Sequence, residues 1–135
     1  MRAACIAAAL FSAMLAARDT KLLDECRLLR HHGRRPEANA CFQKLAAYSD
    51  PFLKAEGLWG LSRFEEANHT FRAAVKLEPK DPEIRVRWGR LFLERFKRGE
   101  AGKLFSEALE LDEKHPGALL GLALVASEGF ESKAG

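Results

Sequence analysis

The sequence predicts an all-α fold, an array of antiparallel helix pairs stacked side by side, and three observations predict it. Apolar and small residues recur at three- and four-residue steps through most of the chain, which sets them along one stripe of successive helices. The pattern repeats: Ala67 and Ala101, Phe71 and Phe105, Ala74 and Ala108, and Leu77 and Leu111 each stand 34 residues apart. Finally, 135 residues of which 47% are hydrophobic, dominated by Leu, Ala, Glu, Lys and Arg, suit one helical domain. About three pairs and part of a fourth fit the length. The formal charge of +3 is mild and its basic and acidic residues are interleaved, which reads as a solvated surface and not as a nucleic-acid footprint.

Residues 1–17, MRAACIAAALFSAMLAA, carry one positive charge near the start and then an uncharged apolar stretch. Its length suits a secretory leader and falls short of the ~20 residues a membrane span needs. Leu15-Ala16-Ala17 and Met14-Leu15-Ala16 both put a large residue where cleavage prefers a small one. The expectation is export, to the periplasm or medium of a bacterium, with a mature chain starting near Arg18. An uncleaved anchor or an amphipathic first helix of a cytoplasmic protein is the alternative. Cys5 lies too close to the N-terminus to be a lipoprotein cysteine.

The remaining chain, 18–135, divides into units. In 18–47, Leu22, Leu23, Cys26 and Leu29 share one helix face, Gly33 ends that helix, and Pro36 starts another whose stripe is Ala38, Cys41, Phe42 and Leu45. Cys26 precedes Ala38 by 12 residues, as Ala55 precedes Ala67 and Gly89 precedes Ala101, so this is a first, divergent unit. Its spacing to the second unit, Ala38 to Ala67, is 29 residues; the deficit is expected around Tyr48-Ser49-Asp50-Pro51. The second unit, 48–81, turns at Ser62-Arg63. The third, 82–115, carries Ile84, Trp88, Gly89, Leu91 and Phe92 on its first helix and Ala101, Leu104, Phe105, Ala108 and Leu109 on its second. Lys97-Arg98-Gly99 separates the two, with Gly99 suited to a left-handed cap. In 116–135 a first helix from Pro116 to Glu128 is followed by the start of a second at Gly129.

The series Trp88, Gly89, Phe92, Ala101, Phe105 and Ala108 resembles the tetratricopeptide repeat. Glu113 stands where that repeat closes on proline, although Pro79 supplies one a unit earlier, and Lys54 replaces the expected tryptophan or leucine in the second unit. The resemblance implies a right-handed superhelical solenoid. It also implies that the first helix of each pair lines a concave groove, where a peptide or protein segment binds. In that register Arg27, Arg30, Phe52, Glu56, Trp59, Val86, Arg90 and Leu93 line the groove, with Leu23, Leu120, Leu124 and Ser127 continuing the rows. Apolar side chains at such positions point to a partner; local packing of Phe52 and Trp59 over the shortened turn is the alternative. Arg27, Arg30, Arg87 and Arg90 suit a carboxylate, but the family's asparagine-bearing clamp is not reproduced, so chaperone tails are not the expected ligand.

No catalytic, metal or cofactor motif is present: the chain lacks G-x-S-x-G, a P-loop, a dinucleotide fingerprint, HExxH and Cys-x-x-Cys. The expectation is a non-enzyme without cofactor that binds protein or peptide and no nucleic acid. His31, His32, Arg34 and Arg35 read as cations at a helix C-terminus and not as a metal or phosphate site. Cys26 and Cys41, on facing helices, are either a disulfide or two small core residues. Asn68-His69-Thr70 matches a glycosylation sequon inside a helix. The uncharged run Gly117–Ala126 leaves Leu119, Leu122 and Val125 as an exposed C-terminal face open to self-association or assembly. Two rival readings are the N-terminal repeat portion of a larger exported enzyme and an RNA-binding array.

Overall fold

The computed structural model describes the backbone of residues 18–134 and the side chains of residues 18–127. Residues 1–17, the expected leader, lie outside the described residues. Among the described residues seven helices follow one another: α1 Lys21–His31, α2 Arg35–Ala46, α3 Pro51–Gly60, α4 Phe64–Leu77, α5 Pro82–Glu94, α6 Arg98–Leu111 and α7 Pro116–Ala134. Each packs on the next, while α1 also meets α3 and α5 meets α7, so the pairs α1/α2, α3/α4 and α5/α6 stack as a solenoid with α7 against the last. Among the described residues there is no strand.

Two kinds of turn alternate. The turns inside each pair share one hydrogen-bond plan, in which the amides of Arg34, Arg63 and Lys97 reach back to the carbonyls of Leu29, Leu58 and Phe92, all at 2.9 Å. That six-to-one bond closes a helix only if the residue before the donor is left-handed. Gly33, Ser62 and Phe96 occupy that position, with φ of 73°, 61° and 60°. The expectation for Gly99 is therefore corrected. Gly99 lies in the first turn of α6, and Phe96 holds the left-handed cap.

The turns between pairs start each first helix with a cap followed by proline. Asp50 accepts from the amide of Leu53 before α3 and Asp81 from that of Glu83 before α5, satisfying donors a helix start leaves unpaired. Before α7 an imidazole does this work: His115 Nδ1 accepts from the amides of Gly117 at 3.1 Å and Ala118 at 3.3 Å. The shortening after the first unit divides between two helices, α2 with 12 residues against 14 in α4 and α3 with 10 against 13 in α5. A second correction concerns the C-terminus, where α7 runs on through Gly129 to Ala134 without the expected turn.

The core follows the small-and-large order of the repeat. Phe71 and Phe105 are fully buried between successive pairs. A Cβ placed on Gly89 would lie 2.7 Å from the Phe105 ring, and one on Gly121 would lie 2.5 Å from it, so Phe105 is slotted between α5 and α7 where both lack a side chain. Cys26 and Cys41 are joined as a disulfide with Cα atoms 5.4 Å apart, so of the two readings of these cysteines the bonded one holds. Asn68 accepts from the Trp88 indole at 2.8 Å and serves the packing of α4 on α5.

Candidate functional site

The first helices α1, α3, α5 and α7 carry one face whose centre is a buried carboxylate. Glu56 on α3 is only 3% exposed and is held by a fork from Arg87 on α5, Nε to Oε1 at 2.6 Å and Nη2 to Oε2 at 3.1 Å. Arg27 on α1 adds a third contact at 3.2 Å. A desolvated carboxylate is tolerable only when paired and hydrogen-bonded in this way. Three helices are thus tied through one side chain.

Around this node stand aromatic rings with cations over them. The Arg87 guanidinium lies 4.7 Å from the centre of the Trp59 ring, and the Trp59 indole donates to Glu94 at 2.7 Å. Arg30 lies over Phe42 at 4.4 Å and donates to the Gly60 carbonyl. Two depressions share Trp59, Arg87 and Glu94. One extends to Arg27, Arg30 and Phe42, the other to Arg90, Leu93, Phe96 and Leu124. The result is one continuous trough with an arginine-rich end and an apolar end. Four guanidiniums face two carboxylates in it, so the trough favours anions.

The structure brings together Arg27, Arg30, Glu56, Trp59, Arg90 and Leu93 from the expected set. Phe52 and Val86 are corrections: at 3% and 4% exposure they are buried. Phe52 packs edge-on against Phe71, with the Arg18 guanidinium 4.4 Å above its ring. Val86 points at Gly117 of α7, where an added Cβ would lie 2.9 Å from it. Both positions face a neighbouring helix and not the trough, and so does Leu23, buried as well. Trp59 also packs edge-on against Phe71 but keeps part of its surface free. At the C-terminal end Leu119 is 49% exposed, whereas Leu122 and Val125 are half-buried against the cluster of Ala101, Phe105 and Ala108; the open face is smaller than expected.

Arg87, expected from the sequence only as one of four arginines suited to a carboxylate, completes the trough together with Glu94 and Phe96, which the sequence reading did not single out. Arg87 sits one helical turn before Leu91 on a face shared with Arg90, and that run of arginines was the available signal. Among the described residues no group of three His, Cys, Asp or Glu side chains is placed to hold a metal ion. No helix among them is long and apolar enough to cross a membrane.

No protein-family model matches the sequence, and no curated protein matches it. Solved structures do match in shape. The tetratricopeptide domain of Sgt2 from Aspergillus fumigatus superposes with a TM-score of 0.60 at 15% identity, over 85% of this chain and 81% of that one. The second such domain of human RPAP3, in complex with the HSP70 peptide SGPTIEEVD, gives 0.55 at 21% identity over 78% and 92%. The Yersinia enterocolitica type III secretion chaperone SycD, in complex with a peptide of the translocator YopD, gives 0.53 at 16% over 84% and 98%. The chain therefore has the all-α solenoid fold of tetratricopeptide-repeat domains.

Proposed function

We propose that this chain is a non-enzymatic interaction module that binds a peptide or protein segment along the trough on α1, α3, α5 and α7. The observation that carries this reading is the cation-lined, partly apolar floor built around Glu56 and Trp59. Arginines stacked on aromatic rings and fixed by a buried carboxylate are ordered before a ligand arrives, which lowers the cost of binding. The occupants of the human RPAP3 domain and of SycD, both peptides, support the same reading. Selection of peptides from a random display library on the full chain, followed by calorimetry, tests it. Selected peptides are expected to lose about tenfold or more in affinity on Trp59→Ala and on Arg90→Glu with helicity unchanged. Equal binding to both variants would sink the trough as the site.

The proposal includes export. It is supported by the apolar, charge-free start of the sequence and by the Cys26–Cys41 disulfide, since such bonds persist mainly in oxidising compartments. N-terminal sequencing of secreted protein should find a start near Arg18. Recovery of intact Met1 from a reducing cytoplasmic pool would end this part.

A further inference from the structure

Phe96 is the most exposed large hydrophobic residue described, at 87%, and its backbone is left-handed with φ 60°. The equivalent positions in the other two inner turns hold Gly33 and Ser62. A bulky L-residue is strained in that conformation where glycine is not. The ring returns nothing to the fold, being almost wholly in solvent. A side chain that is both strained and unburied is accounted for by something it contacts outside the chain.

Its position says what that contact is. Phe96 borders the apolar end of the trough with Trp59, Leu93 and Leu124. Arg87 there is occupied by Glu56, and Glu94 by the Trp59 indole. Arg90, on the rim, has no carboxylate partner among the described residues. We infer that Phe96 is the apolar lip of a subsite for one large aliphatic or aromatic side chain of the bound segment, with a carboxylate beside that side chain meeting Arg90. This rests on the trough being the binding site and adds where along it the segment is anchored, and by what chemistry.

N-acetyl-L-leucine and N-acetyl-L-phenylalanine carry both features and serve as probes. Titrated into the full chain labelled with nitrogen-15, they should shift the Trp59 indole resonance saturably and leave that of Trp88, buried and bonded to Asn68, in place. Their C-terminal amides should bind about tenfold more weakly. Phe96→Gly should weaken the acids by about tenfold while raising the melting temperature, a pair of opposite signs that a structural role for the ring does not produce. Unaltered affinity in Phe96→Gly, or a lowered melting temperature, overturns the inference. Absence of a Trp59 shift overturns it too; if display-selected peptides still bind, the trough reading survives alone, and if they also fail, both fall.

Discussion

At single residues, the tightest constraint on this fold is the absence of a side chain. A Cβ on Gly57 would fall 2.4 Å from the amide nitrogen of Ala46 and 2.8 Å from the carbonyl carbon of Leu45, both of them backbone atoms of α2 that cannot rotate away. A Cβ on Gly121 meets instead the Phe105 ring at 2.5 Å, a side chain that can yield more than backbone does although α5 holds its other face. Alanine favours helix over glycine by about 1 kcal/mol, and overfilling a packed contact costs about 1 to 3 kcal/mol, so the clash wins at both sites. Gly57→Ala should therefore destabilise by about 2 kcal/mol net and Gly121→Ala by about 1 kcal/mol net, read from urea denaturation midpoints at constant slope. The reverse order would mean that α2 and α3 slide apart more readily than Phe105 turns.

At the level of elements, the first helices depend on their caps. Asp50 and Asp81 cap α3 and α5, whereas α7 is capped by His115, whose other ring nitrogen lies 3.0 Å from Glu83. Accepting two amides at Nδ1 places the ring proton on Nε2, which donates it to Glu83. Removing the cap with His115→Ala should cost about 1 kcal/mol, visible as faster amide exchange in the first turns of α7, and His115→Asp should restore protection by reproducing the Asp-Pro starts of α3 and α5. If aspartate fails where the acid caps succeed elsewhere, the imidazole matters for its bond to Glu83 and not for the cap. Helix positions and pairing were legible in the sequence because both rest on three- and four-residue steps, a local property. The floor of the trough was only partly so. A first helix packs against its own partner and also against the next first helix, so its apolar face is wider than one stripe. Val86, against Gly117 of α7, falls on the added part, while Phe52 packs on Phe71 of its own partner helix. Side-chain reach was not legible either: nothing local announces that Arg87 will cross to Glu56, or that the Cα atoms of two cysteines on facing helices will lie within bonding distance.

Across the whole molecule, a solenoid lends each unit stability only from its neighbours, and among the described residues the first unit has such a neighbour only on the side of α3. Two ties reinforce it. The Cys26–Cys41 bond closes a loop of sequence separation 15, which in the chain-entropy view contributes about 3 kcal/mol. Arg18, ahead of α1, reaches over Phe52 to Asp50 at 3.0 Å and Asp81 at 3.2 Å and also pairs with Glu78, joining the start of the first unit to both outer turns of the second. Burial alone would lower the Arg18 pKa, but Asp50, Asp81 and Glu78 together hold it above the ordinary arginine value. With its carboxylates about a third exposed, the clasp is worth about 2 kcal/mol and not the full figure of a buried pair. The ties act at different joints, the disulfide between α1 and α2 and the clasp between α1 and the α3 and α5 caps. Reduction alone should therefore speed exchange in α1 and α2, and Arg18→Ala alone should do so in α1 and the first turn of α3. Reduction of Arg18→Ala should release the first unit as a block, exposing α1 and α2 to near-complete exchange while α5 and α6 keep their protection. Hydrogen-exchange mass spectrometry on the four states decides it. If α5 and α6 lose protection in step with α1, the array unfolds as one cooperative body, and neither tie has the local role assigned to it.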